Sequence, residues 1–261
     1  MDFLEKINKN PYEDLYFNIP EEQKLGAVSV IGGNGENFRT AIKTAEFLTN
    51  KFPLKDIKVI LPDSLKGKLP PLDNLMFLKT TDAGSFDDTE GLKAVMESSD
   101  FSLVVGDLSK NTVTRGVFES AFDSSAKPLL LTRDTVDLVS EMKTERILMR
   151  ENLTFFGSLV QWQKIFKSVY YPKMLMVSQS LIQIAEAFHK FTLSYPIQVV
   201  TLHGGQIIVA KNGKVVVVPL EKTGYSPLTI WNGELAGKIM SLNLYNPDKF
   251  LEATVAALFF R

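Results

Sequence analysis

Cysteine is absent from the 261-residue chain. Disulfides, thiolate metal sites and a cysteine nucleophile are therefore excluded, and the absence fits a reducing cytoplasm. Histidine is scarce, with two residues, His189 and His203. They form no pair, and neither stands with acids at a fixed helical offset, so no zinc site is indicated. An excess of either charge is also lacking: 29 basic and 30 acidic residues leave a formal charge of -1. No generic electrostatic grip on nucleic acid or an anionic membrane is expected, and any polyanionic ligand must be held locally. No apolar run approaches the roughly 18 residues of a membrane span. The start, "MDFLEKINKNPYEDLYF", is polar and acidic where a signal peptide would be basic and then apolar. The expectation is a cytoplasmic, soluble protein. No G-x-S-x-G elbow points to a hydrolase triad.

What is present is apolar surface in short runs. Hydrophobic residues make up 45% of the chain and charged residues 23%, enough for one large core. "AVSVIGG" (27 to 33), "IKVILP" (57 to 62), "LMFLKT" (75 to 80), "FSLVVGD" (101 to 107) and "PLLLT" (128 to 132) read as strands buried on both faces. Between them, "NFRTAIKTAEFLTNKF", "DTEGLKAVMESSD" and "TVTRGVFESAFDSS" repeat apolar positions at three and four residues, the helical period. Apolar strands separated by helices imply a mainly parallel sheet covered on both sides. Towards the carboxyl end, a helix over about 173 to 193 precedes "IQVVTLHGG" and "QIIVAKNGKVVVVPL". There Asn212-Gly213 between β-branched runs signals a β-hairpin. Helices over "WNGELAGKIMSLNL" and "KFLEATVAALFF" close the chain. No repeat or linker divides it, so residues 25–261 read as a single α/β domain and residues 1–24 as an N-terminal helical arm.

Several strand ends carry candidate chemistry. "VIGGNGENFRTA" sets Gly32, Gly33, Asn34 and Gly35 between a strand and a helix, where free amides face an anion. It has neither G-x-G-x-x-G spacing nor the lysine of a P-loop, and the glycines equally serve a sharp turn. "VVGDLSKNTVTRG" places Asp107 to orient a hydroxyl or metal, or to cap a helix. "LLLTRDTVDLV" places Thr132, Arg133 and Asp134 past a strand, with Asp137 three residues beyond Asp134. A helix cap is the favoured reading of Asp134. In "TLHGGQIIV", His203 stands at a strand end beside Gly204 and Gly205, as a ligand contact or a packed residue. His189 reads as a helix-surface or partly packed residue. "TGYSPLTIWNGELAGKI" runs a loop into a helix, a geometry that builds anion sites. It contains no Asp, and its one acid, Glu234, sits inside the helix.

With these motifs in order, the chain over roughly residues 20 to 260 resembles the ribokinase-like superfamily, and within it the ADP- or ATP-dependent NAD(P)H-hydrate dehydratases. The family's V-I-G-G-S-x-G-Y-T-G-A is similar to "VIGGNGENFRTA", its L-V-I-G-P-G-L-G to "LVVGDLSK", its P-V-V-L-D-A-D-A-L-N-L to "PLLLTRDTVDL" and its V-V-L-K-G-A-G-T-V-I to "VTLHGGQIIVA". G-T-G-D-V-L-A-G-I-I-A-G resembles "SPLTIWNGELAG", aligning Gly233 and Gly237. The resemblance implies a ribokinase-like three-layer α/β/α sandwich with a mainly parallel central sheet and a C-terminal β-hairpin. It implies ADP or ATP, Mg and an NAD(P)H-type ligand as cofactors, and a homo-oligomer. Nucleotide contacts would come from His203, Gly204, Gly205, Asn232 and Gly233, and substrate contacts from Gly32, Gly33, Asn34 and Asp107.

The departures bear on catalysis. Thr229 stands where the family has its catalytic Asp, Ser226 and Leu228 replace the two phosphate-loop glycines, and Pro227 between them has no amide hydrogen. His203 replaces the Lys of V-L-K-G, and Thr132 the first Asp of D-A-D-A-L-N. "MRENLT" (149 to 154) corresponds to T-P-H-P-G-E after the sixth strand and keeps none of its residues in place. Removing a base costs about a hundredfold to ten-thousandfold in rate, and removing an oxyanion donor on the order of a hundredfold or more. The favoured expectation is a catalytically degenerate dehydratase-like protein that still binds a nucleotide or dinucleotide. The alternative is an active dehydratase or small-molecule kinase whose base is Asp107, Asp134 or Glu234. A third reading is a purely structural α/β protein, with Trp231 either plugging the cleft or stacking on a ligand ring.

Overall fold

The computed structural model describes residues 2–21, 25–69 and 74–261. Strand β1 (Leu4–Lys6) precedes an alternation of strands and helices: β2 (Leu25–Gly32), α1 (Arg39–Lys51), β3 (Leu54–Pro62), β4 (Leu75–Leu78), α2 (Thr89–Ser98), β5 (Phe101–Gly106), α3 (Thr112–Ser124) and β6 (Leu129–Thr132). Two short helices, α4 (Asp134–Val139) and α5 (Thr144–Leu148), lead to β7 (Leu153–Phe156), α6 (Leu159–Ser168) and α7 (Leu181–Ser194). Strands β8 (Gln198–His203), β9 (Gln206–Lys211) and β10 (Lys214–Pro219) and helices α8 (Glu234–Tyr245) and α9 (Phe250–Phe259) follow. Among the described residues ten strands form one sheet in the order β1-β10-β9-β8-β7-β6-β5-β2-β3-β4. Pairing is parallel from β8 through β4 and between β1 and β10, and antiparallel on both sides of β9.

Strand side chains alternate between faces, and here both faces are covered. Ile31, Val104, Leu129, Leu131, Phe155 and Val199 enter one apolar cluster with residues of α2, α3, α6 and α7. Val30, Leu103, Val105, Leu130, Phe156 and Val200 enter the other, with α1, α8 and α9. This is why the strands read as unbroken apolar runs and why the molecule is a three-layer α/β/α sandwich. Helix α8 lies deep in the second layer, with every residue from Leu235 to Asn243 buried. The β9–β10 hairpin turns at Asn212 and Gly213, both at positive φ, as the Asn-Gly signal requires. Among the described residues no helix is long and apolar enough to cross a membrane.

Four expectations are corrected. The amino-terminal segment is not a helical arm: residues 4–6 pair in parallel with Val215–Val217, and Glu13–Asn18 form a 3-10 turn that buries Leu15. The strand covers the edge that β10 would otherwise expose, and the Tyr16 hydroxyl donates to the Ala256 carbonyl at 2.7 Å. Residues 1 and 22–24 of the expected arm lie outside the described residues. "LMFLKT" yields only Leu75–Leu78, an edge strand with one buried residue, Leu78, rather than a strand covered on both faces. The helix expected from about residue 173 begins at Leu181, because Ser180 and Gln183 form a capping box there. "MRENLT" is not a loop after a strand: Leu153 and Thr154 already belong to β7, so the segment lies at that strand's beginning.

Candidate functional site

Parallel strands place their carboxyl ends along one edge of a sheet, where the loops that follow them build sites. Here the ends of β2, β5, β6, β7 and β8 bring Gly32-Gly33, Gly106-Asp107, Thr132-Arg133, Phe156 and His203 to that edge. Gly32 is opposite Gly106, and the Gly33 amide donates to the Gly106 carbonyl at 3.0 Å. Asn34 is spent locally. Its Oδ1 accepts from the amides of Glu36 and Asn37, and its Nδ2 donates to the Asp107 carbonyl at 2.8 Å.

Asp107 and Arg133 dominate the centre. Both have positive φ, 58° and 56°, a conformation that L-residues sustain only where surrounding structure enforces it. Arg133 Nη2 donates to Asp107 Oδ1 at 2.5 Å, and Thr40 Oγ1 donates to Asp107 Oδ2 at 2.7 Å. Arg133 Nη1 reaches across to the Trp231 carbonyl at 3.4 Å. Gly106 is what admits this arrangement: a Cβ there would lie 2.6 Å from Arg133 Cβ. Behind the arginine, Gln161 Nε2 donates to the Arg133 carbonyl at 2.6 Å and to Asp137 Oδ2 at 3.0 Å. Asp137 also receives Lys164 Nζ at 2.6 Å and Lys110 Nζ at 3.3 Å. Burial opposes ionisation of Asp137, but the hydrogen bonds from Lys164 and Gln161 and the Lys110 charge outweigh it and hold its pKa below the ordinary carboxylate value. The Lys110 ammonium is held above its usual range, chiefly by its hydrogen bond to Asp134, at 2.9 Å.

Neither Asp107 nor Asp134 caps a helix. Asn111 caps α3 with its side chain, and Arg133 holds the cap position of α4. Both acids are instead engaged in ion pairs. His203 is half-buried, with Nε2 2.9 Å from the Gln179 carbonyl. His189 stacks on Phe3 at 4.2 Å and meets the Gly213 carbonyl through Nδ1, a packed residue far from this edge in role.

The loop before α8 has its own closed hydrogen bonding. The Ser226 amide donates to Thr229 Oγ1 at 2.8 Å, the Thr229 amide donates to Ser226 Oγ at 3.1 Å, and the two hydroxyls meet at 3.0 Å. Leu228 projects into solvent, 86% exposed. Asn232 Oδ1 accepts from the Glu234 amide at 3.0 Å, and Gly233 holds the N-cap position of α8, which begins at Glu234. Gly233 has φ 97° and packs on α1, where a Cβ would overlap Thr44 Oγ1. Trp231 is half-buried and stacks on Phe156, with ring centroids 4.7 Å apart. Beside this loop, Gly204, Gly205, Pro219, Tyr225 and Pro227 line a groove of about 540 Å³. A Cβ at either glycine would meet nothing within 4 Å.

The structure thus gathers Gly32, Gly33, Asn34, Asp107 and Gly233 around one centre and sets Gly204 and Gly205 on an adjoining groove. The side chains of His203 and Asn232 are turned to backbone partners. Arg133, named from sequence only for its place past a strand, joins the centre, as do Thr40 and Gln161, which the sequence had not singled out. The signal for Arg133 was its place directly after an apolar strand, whereas its positive φ and its bond to Asp107 have no sequence signature.

No family model and no curated protein matches the chain. Among solved structures, a ribokinase-like superfamily protein from Enterococcus faecalis V583 superposes with a TM-score of 0.70 at 17% identity, covering 99% of this chain and 86% of its own. A hypothetical protein from Streptococcus mutans gives 0.69 at 15% identity, over 97% and 88% of the two chains. The ADP/ATP-dependent NAD(P)H-hydrate dehydratase from Bacillus subtilis, co-crystallised with ATP and Mg2+, gives 0.62 at 13% identity, over 97% and 86%. At these identities the likeness is one of architecture: the chain has the ribokinase-like fold.

Proposed function

We propose that this chain is a nucleotide-binding, dehydratase-like member of the ribokinase-like superfamily that has lost the family's phosphoryl chemistry. The observation that carries the reading is the reciprocal bonding of Ser226 and Thr229. Phosphoryl transfer requires preorganised donors around the developing charge and a base at the attacking hydroxyl. At the aligned positions two donors are used on each other, Pro227 has none to give, and the threonine hydroxyl is no base near neutral pH. Of the acids that would substitute, Asp107 is held by Arg133 and Thr40 and Asp134 by Lys110, while Glu234 opens α8 beyond the Ser226–Thr229 turn. Binding is a different matter, because the Gly204–Pro227 groove has unobstructed glycine backbone on one side. Its size suits the base and sugar of ADP or ATP, and magnesium would arrive with the phosphates.

Thermal unfolding with ADP, ATP, NADH and NADPH at millimolar concentration tests the reading. A ligand present at a hundred times its Kd adds about 2.7 kcal/mol, several degrees for a chain of this size. At least one nucleotide is expected to raise the midpoint, while hydrated NADH with ADP or ATP and magnesium is expected not to be converted. Four flat melting curves would remove the binding reading. Conversion abolished by mutating Asp107 or Asp134 would replace the degenerate reading with an active enzyme.

A further inference from the structure

We propose that the Arg133 guanidinium is an anion-receiving group held in reserve by Asp107, and that a phosphate group of the ligand displaces the carboxylate and takes the arginine. This deepens the nucleotide-binding reading and rests on it for the identity of the ligand.

The pair is asymmetric in a way that suits exchange. Asp107 is fixed at three points: its backbone carbonyl by Asn34, one carboxylate oxygen by Thr40 and the other by Arg133. Among the described residues, the Arg133 backbone is fixed by the close approach of Gly106 and by the Gln161 amide on its carbonyl. Beyond Cβ its side chain is held by a single-oxygen contact to Asp107 and a long bond to the Trp231 carbonyl. A guanidinium has five donors in a planar fork and prefers a two-oxygen partner. Asp107 meets the fork with one oxygen only, its second being turned to the Thr40 hydroxyl. A phosphate group presents the two oxygens that the fork lacks.

Exposure and position agree. The arginine side chain is 33% exposed while the aspartate is 14% exposed, so solvent and ligand reach the cation first. Because Asp107 is largely buried, separating the pair has a cost that the two-oxygen contact to phosphate must offset, while the Thr40 hydroxyl stays on the carboxylate. The guanidinium also stands over the Trp231 carbonyl, directly before the Asn232-Gly233 entry to α8. A phosphate chain extending from the Gly204–Pro227 groove towards α8 would meet it there. Lys110 does not compete for this role, being bound to Asp134 and Asp137.

Titration calorimetry with ATP and with inorganic triphosphate, on wild type, Asp107→Asn, Arg133→Ala and the double variant, tests the exchange. Asp107→Asn keeps the shape and removes the competing charge, so both anions should bind about tenfold or more tightly than to wild type. Arg133→Ala should weaken both by a similar factor, and the double variant should match Arg133→Ala, since the latch acts only through the arginine. These factors follow from the loss or gain of one charged hydrogen-bonded contact. A structural role for the pair predicts instead that Asp107→Asn weakens binding or leaves it unchanged. If ATP binds wild type and Arg133→Ala equally, the nucleotide reading stands and the latch is overturned. If wild type binds neither anion, triphosphate binding to Asp107→Asn alone upholds the latch, and no binding there overturns it. Should Arg133→Ala fail to fold, Arg133→Lys keeps the charge without the fork. Affinity equal to wild type in that variant refutes the bidentate role.

Discussion

Gly233 faces Thr44 so closely that a Cβ at position 233 would overlap the threonine Oγ1. The glycine is at φ 97°, so a side chain there meets both an unfavourable backbone region and a filled space. Gly233→Ala is expected to destabilise by about 2–4 kcal/mol, the sum of a left-handed backbone penalty and overpacking. Thr44→Ala in the same chain removes only the steric part, because the Thr44 hydroxyl is otherwise used locally on the Thr40 carbonyl. Urea unfolding of the two single variants and the double reads the difference. A double variant no better than Gly233→Ala would show that backbone strain alone is at issue.

Thr229→Asp places an acid where the sequence resemblance aligns the family's catalytic Asp with Thr229. The carboxylate still accepts from the Ser226 amide, so the turn survives and stability changes by less than about 1 kcal/mol, as in exchanges among capping residues. On the degenerate reading no activity is expected in this variant, because the two neighbouring positions lack glycine and Pro227 lacks a donor. Spectroscopic assay of hydrated NADH with ADP or ATP and magnesium decides. Turnover in this variant and not in wild type would mean that the missing carboxylate alone accounts for the proposed loss, and turnover in both would overturn that loss.

The sheet was legible because burial on both faces writes itself as unbroken apolar runs, as in Leu129–Thr132, and the hairpin because Asn212-Gly213 dictates its turn. The amino-terminal strand was not, since three residues, Leu4 to Lys6, carry no period and gain their form only from pairing with β10. The glycines of the site were visible as residues next to strand ends. The Asp107–Arg133 contact was not, because it joins positions 26 apart and depends on a positive φ at Arg133 that nothing in the sequence signals. Trp231 was ambiguous for a related reason. Only the position of Phe156 shows that its ring has a packing partner.

The two tryptophans report separate regions. Trp162 is fully buried between Phe155 and Phe188, whereas Trp231 is half-buried beside Arg133. Nucleotide binding is expected to change the emission of Trp231 and leave that of Trp162 unaltered. Trp231→Phe retains a ring against Phe156 at a cost of about 1 kcal/mol and should abolish the ligand-induced signal while calorimetry still detects binding. A signal that persists in this variant would place the perturbation in the core and away from the cleft.

Asp137 sets an acid limit on the loop that supports Arg133. Its carboxylate is stabilised by Lys164, Gln161 and Lys110 against the cost of burial, so its pKa in the fold lies below the ordinary value of 3.8. A group with a depressed folded pKa contributes stability that is complete above the unfolded pKa and is lost as pH falls through the folded one. Asp137→Asn should therefore be less stable than wild type at pH 7 by about 1 kcal/mol, a modest figure because the surrounding lysines are largely solvated. The gap should hold down to about pH 4 and close below it, where wild type binds the proton that the variant never needs. Salt at about 1 M should narrow the gap at neutral pH by screening the lysines. Chemical unfolding across the acid range measures it directly. A difference that stays constant through the acid range would mean that the asparagine disturbs packing and that the charge of Asp137 contributes nothing to holding Gln161 and, through it, Arg133.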